Sequence, residues 1–120
     1  MLSCIIYDLD GTLIDSVGDI AYAVNRVRTS YGIGTLSRNE IRAFIGDGAP
    51  KLLARAVNGI VEDKALRPRQ ILPKIAATPE ELLARFLDIY AEDPAAESTV
   101  YPGVVPALVY WQSQGVAQAV

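Results

Sequence analysis

The 120-residue chain contains no histidine. That absence excludes Ser-His-Asp and Cys-His nucleophilic catalysis outright and disfavours most zinc sites. There is one cysteine, Cys4, so no internal disulfide can form, which fits a reducing compartment. Because Cys4 lies inside the first apolar run, it reads as a packing thiol rather than a nucleophile. Positive charge is scarce: 11 Lys and Arg stand against 14 Asp and Glu, for a net charge of −3. The chain thus lacks the basic footprint of a nucleic-acid binder, and the short "RPR" at 67–69 reads as solvated loop. No apolar run approaches the roughly 20 residues of a membrane-spanning helix, and the N-terminus turns acidic too early for a signal peptide. These features lead to the expectation of a cytoplasmic protein that binds neither membrane nor nucleic acid. At 51% apolar residues the chain is globular in composition, with material for one modest domain or parts of two.

What the chain does have is concentrated at its start. "SCIIY" (3–7) is an apolar run without alternation, as in a parallel strand covered on both faces. It runs straight into "DLDGTLIDS" (8–16). Along an extended strand, residues two apart share a side, so Asp8 and Asp10 should project together from the carboxyl end, where open α/β sheets place ligands. Two neighbouring carboxylates repel unless a cation joins them, and a hard, oxygen-seeking ion such as Mg²⁺ suits that role. One aspartate could then act as a nucleophile and the other as a general acid and base. The spacing alone equally allows the two residues simply to end a strand and cap a turn.

Beyond Ser16 the period changes. Val17, Ile20, Ala21, Val24, Val27 and Tyr31 recur at helical spacing, with Asn25, Arg26 and Arg28 expected on the outer face. Ser16 is a candidate N-cap with Asp19 as a weak partner, and "YGIG" (31–34) should stop the helix. "SRNEIRAFI" (37–45) reads as a second helix capped by Ser37 and Glu40. The "GDGAP" loop (46–50) leads into "KLLARAV" (51–57), with Pro50 in the first turn. Pro68 and Pro73 forbid one regular helix through 59–77, which should be broken helix or loop. "TPEELLARFLDIY" (78–90) has a capping-box start, an apolar stripe and a Glu81–Arg85 pair. "EDPAAEST" (92–99) reads as linker. "YPGV" (101–104) should turn into a last helix ending near Gly115, and "VAQAV" (116–120) should begin a second strand. The excursion between the two strands far exceeds what a parallel crossover needs, which implies an inserted helical subdomain.

The string "DLDGTLIDS" after an apolar strand resembles motif I of the haloacid dehalogenase superfamily, Asp-x-Asp-Gly-Thr-Leu/Val. The resemblance implies an α/β fold: a Rossmann-like core, here its first two parallel strands, with an inserted α-helical cap. Residues 1–15 would form core strand 1 with motif I, 16–97 the cap, and 98–120 the return to the core. It further implies that Asp8 is the nucleophile and a Mg²⁺ ligand. Asp10 would be the general acid and base and bind the metal through its backbone carbonyl. Gly11 and Thr12 would form the turn beyond the strand, the Thr12 hydroxyl holding Asp10. An acid at position 10 points to phosphatase or phosphomutase chemistry, since an alkoxide leaving group needs a proton and a halide does not.

"IGDGAPKLLARAV" (45–57) and "YPGV" are similar to the phosphoglycolate phosphatase branch, in which a cap loop, here Gly46-Asp47-Gly48, closes over the active site and contributes to substrate choice. The loop reads either as a donor of backbone N–H groups to an anion or as a plain helix–helix turn. Lys51 and Arg55 are expected on a solvated helix face, and Asp15 is read as a turn or hinge residue. The resemblance implies a Mg²⁺-dependent hydrolase of a small phosphorylated metabolite, phosphoglycolate first. The alternatives are a mutase of the β-phosphoglucomutase kind and a catalytically silent fragment that associates with itself or a partner through exposed core surface. Family members continue into a phosphate-binding Thr or Ser, a Lys and a second acidic motif. The chain is therefore expected to be the N-terminal portion of such an enzyme.

Overall fold

A computed structural model describes residues 1–60 and 74–120. The expected broken segment around Pro68 and Pro73 lies mostly outside the described residues. The chain divides into two compact units, Met1–Ser16 together with Glu97–Val120, and Val17–Ala96. None of the described helices is long and apolar enough to cross a membrane.

The terminal unit begins with strand β1 (Cys4–Ile6) and a two-residue strand β2 (Ile14–Asp15). After residue 96 come β3 (Thr99–Val100), helix α5 (Val104–Ser113) and β4 (Ala117–Ala119). As expected, β1 and β4 pair in parallel, Ile5 opposite Gln118. Tyr7 N–H donates to Ala119 O at 2.9 Å and carries the ladder one bond further. Gln118 holds α5 to this pair, its Nε2 donating to Leu108 O (3.0 Å) while its Oε1 accepts from Tyr7 Oη (2.8 Å).

The reading of β1 as a strand covered on both faces is corrected. Ile6 is 78% exposed, and Cys4 is exposed rather than a buried packing thiol. The reason is that β1 has one strand neighbour, β4, among the described residues, and Ile5 alone of its three residues is half-buried. A short antiparallel ribbon, β2 with β3, was not anticipated from the sequence. It pairs Ile14 with Val100 and Asp15 with Thr99, so the end of the stretch read as linker is strand.

The second unit is all helical: α1 (Val17–Ser30), α2 (Arg38–Phe44), α3 (Ala49–Asn58) and α4 (Pro79–Glu92). Each helix turns one apolar stripe inward, and Val24, Val27, Ile41, Phe44, Leu53, Val57, Leu82 and Phe86 form the core. α1 stops where "YGIG" directs it. Gly32 takes φ +71, and Ile33 N–H reaches back to Arg28 O, the six-to-one bond of a Schellman end. Both expected capping boxes are present, Ser37 with Glu40 and Thr78 with Glu81. The Glu81 carboxylate accepts from Thr78 N–H, while the Arg85 guanidinium lies over the Tyr31 ring. Replacing Thr78 by Ala removes the acceptor for Glu81 N–H and should destabilise the helical unit by about 1 kcal/mol, read as a lower urea midpoint at unchanged slope.

Two outward assignments are corrected in this unit. Arg28, expected on the solvated face of α1, is 0% exposed, and Arg55 of α3 is 8% exposed. In both cases backbone carbonyls inside the unit accept from the guanidinium, which removes the penalty that normally keeps arginine outside.

Candidate active site

The "DLDGT" stretch leaves the sheet before its chemistry begins. β1 ends at Ile6, and Asp8 follows the last rung of the ladder. The chain then closes into a single tight turn around one acceptor. Leu9 O takes hydrogen bonds from Thr12 N (3.2 Å), Leu13 N (2.9 Å) and Ile14 N (3.2 Å), and Gly11 N donates to Ile14 O (2.9 Å). Asp10 forms an isolated bridge with Ile14 across this turn.

Gly11 is what permits the closure. Its φ is +75, where a side chain would cost about 1–2 kcal/mol. A Cβ there would meet nothing within 4 Å, so the constraint comes from backbone conformation and not from space. Thr12 enters the turn through its backbone N–H. Leu13 is buried, and its carbonyl accepts from Tyr101 N at 3.1 Å, which fastens the turn to the residue that follows β3.

Asp10 therefore lies within a closed turn at the carboxyl end of β1, and Asp8 immediately before it. Strand alternation does not orient them, because both lie beyond the strand. Both residues are exposed, and neither carboxylate takes a hydrogen bond or an ion pair from a described residue. Asp8, Asp10 and the adjacent carbonyls form an oxygen-only donor set, which fits a hard cation that keeps several waters. Among the described residues no third acidic, cysteine or histidine side chain joins the pair.

The second group of candidates belongs to the helical unit. Gly46 (φ +136) and Gly48 (φ +89) flank Asp47 between α2 and α3, and Gly48 is the N-cap of α3 without a side-chain cap. The Asp47 carboxylate does not stand free. Its Oδ2 lies 2.6 Å from Nη2 of Arg55, whose Nη1 donates to Phe44 O at 2.9 Å. The hydrogen bond from Arg55 and then its charge hold the Asp47 carboxyl below the usual aspartate range, with a smaller contribution from Lys51. The sign follows: a depressed folded value keeps this tie intact through neutral and mildly acidic pH and releases it only as pH falls through that lowered value. Arg55 is the functional candidate that the sequence reading left on the surface. The available signal was its place beside Leu52 and Ala56, within the buried face of α3.

Residues 5–120 match the family model of haloacid dehalogenase-like hydrolases. Phosphoglycolate phosphatase 1 of Pseudomonas aeruginosa is 36% identical over 115 residues, a match that covers 96% of this chain and 39% of that protein. A phosphoglycolate phosphatase of Cereibacter sphaeroides is 36% identical over 116 residues, covering 92% and 46% respectively. The chain thus spans less than half the length of these curated relatives. Among solved structures, one described as a predicted phosphoglycolate phosphatase from Haemophilus somnus superposes with a TM-score of 0.78 at 27% identity, over 99% of this chain and 51% of that one. With the motif-I turn in place at the end of a parallel strand, and the family match running through nearly every residue, the chain belongs to the haloacid dehalogenase-like hydrolases.

Proposed function

We propose that this chain carries the nucleophile-bearing part of a Mg²⁺-dependent phosphatase acting on a small phosphate monoester, phosphoglycolate being the first candidate. The observation that supports it best is the pair of exposed, unengaged carboxylates held at one closed turn. The names of the relatives support the choice of substrate. Residues 17–96 are assigned to a helical cap, and its Gly46–Gly48 loop to substrate choice.

The Asp8 carboxylate attacks phosphorus, and the phosphorus–oxygen ester bond breaks as Asp10 gives its proton to the departing alkoxide. Water then attacks the aspartyl phosphate, Asp10 takes the water's proton, and inorganic phosphate leaves Asp8 free. The Asp8 carboxylate and the Asp10 carbonyl would hold Mg²⁺, which when bound offsets the repulsion between an anionic nucleophile and an anionic substrate. The turn supplies position: with Leu9 O gripping three amides, the two aspartates need little reorganisation.

A second reading, association through uncovered core surface, is supported by α5. This ten-residue apolar helix buries none of its side chains and borders an apolar groove of about 410 Å³ lined by Leu13, Val105, Leu108 and Val109. The deciding experiment is Mg²⁺-dependent phosphate release from phosphoglycolate, with β-glucose 1-phosphate as the mutase control and sedimentation of the same sample. Phosphate release supports the phosphatase. An intact, folded chain that releases none but forms oligomers supports the second reading.

A further inference from the structure

We infer that Arg55 is the positioning residue of the Gly46–Gly48 loop and that Asp47 serves as its anchor, not as a contact to substrate. The inference rests on the reading of this loop as a contributor to substrate choice.

Only residues 45–48 separate the end of α2 from the start of α3. Two of those four are glycines at positive φ, and the following helix starts without a side-chain cap, so the backbone alone leaves the path of the loop weakly determined. Arg55 supplies the missing definition. From the second turn of α3 its planar guanidinium reaches back with two separate N–H groups. Nη1 bonds the last residue of α2 through Phe44 O (2.9 Å), and Nη2 bonds the loop through Asp47 Oδ2 (2.6 Å). Two bonds from one rigid fork fix the spacing between their acceptors, which a lysine could not do. Arg55 is itself buried, so the fork is mounted on the core of the helical unit.

The electrostatics bear on the ligand. A phosphate monoester is anionic, and an unpaired Asp47 carboxylate would repel it. Matched by Arg55, with Lys51 adding to the same field, Asp47 carries its charge into an ion pair. What the loop offers an anion is then its backbone N–H groups, whose direction depends on the Arg55–Asp47 tie.

The test uses the full chain and its Asp47→Asn, Arg55→Lys and Arg55→Gln variants, with the double variant Asp47→Asn/Arg55→Gln. Amide order parameters of residues 46–48 are measured together with KM and kcat for phosphoglycolate. Asp47→Asn and Arg55→Gln should each take the loop amides from the rigid range, about 0.85, to below about 0.6. KM should rise by on the order of tenfold at unchanged kcat, as expected for one charged hydrogen bond lost. Arg55→Lys should recover part of that loss, and the double variant should be no worse than Arg55→Gln. Asp47→Asn lies on the surface and keeps the test open should a buried Arg55 variant fail to fold. Unchanged order parameters in Asp47→Asn would overturn the inference, as would KM effects of the two single variants that multiply in the double. Absence of turnover in the unsubstituted chain would show only that this part is not active by itself, and the order parameters would still decide the role of Arg55.

Discussion

With Asp8 as the proposed nucleophile, Asp8→Asn should abolish the proposed Mg²⁺-dependent phosphate release, by roughly 10⁴-fold or more, the scale on which enzymes lose rate when a covalent nucleophile is removed. The substitution is nearly isosteric, at an exposed position whose side chain holds no other part of the turn. Far-UV circular dichroism and the urea midpoint should therefore match the parent, so that lost rate reports chemistry and not unfolding. Asp10→Asn separates the two carboxylates by role. Loss of a general acid costs typically about 10²–10⁴-fold, and most when the leaving group is a poor one. With phosphoglycolate the Asp10→Asn loss should fall in that range. With an aryl phosphate, whose phenolate leaves without help, phosphorylation of Asp8 should be slowed far less. Turnover that survives Asp8→Asn would place the nucleophile elsewhere and remove the basis for the mechanism.

The chemistry was legible in the sequence because it is local. An apolar run followed by Asp-x-Asp-Gly-Thr states a strand, two carboxylates and a turn within ten residues, and the turn is closed by bonds among residues 9–14. The helix boundaries were legible for the same reason: Ser37 with Glu40, Thr78 with Glu81 and Gly32 at the end of α1 act over three or four positions.

What was misread depends on distant partners. Arg28 follows the inward Ala21 and Val24 at helical spacing, yet charge outweighed period, because nothing nearby announces the carbonyls of Gly34 and Ala56 as acceptors. Arg55 met the same difficulty with Phe44 and Asp47, eleven and eight residues back, spacings that no helix-surface rule covers. The β2–β3 ribbon joins positions 14 and 100, too far apart for any hairpin signal. Cys4 and Ile6 were misplaced for the opposite reason. A strand's apolar character reports the environment it is suited to, not whether that environment is present around it.

Arg28→Leu should be the most damaging single change to the helical unit. Arg28 lies in the last turn of α1, and its Nε donates to Gly34 O at 2.7 Å while Nη1 donates to Ala56 O. The second acceptor explains the geometry. Ala56 is in the last turn of α3, where carbonyls run out of intrahelical donors, and Ile60 N–H, the donor four residues on, is taken by Ala54 O. Arg28 therefore caps α3 from another helix and pins the 31–36 loop at the same time. Burial pushes its pKa below the ordinary arginine value, and the charge of Glu40 opposes that shift. Leucine fills part of the volume but leaves two carbonyls without this donor, and the loss should be about 3–5 kcal/mol, as for other broken buried charge networks. At roughly 0.05–0.15 kcal/mol per residue, the helical unit has only about 4–12 kcal/mol in total, so Arg28→Leu takes it to the edge of unfolding at 25 °C. Arg28→Lys should recover less than half of the loss, because one ammonium cannot reach both carbonyls with the geometry of the fork. Urea titration followed at 222 nm would read this order directly. A midpoint for Arg28→Leu within error of the parent would mean that the two bonds contribute nothing beyond the packing of the side-chain stem.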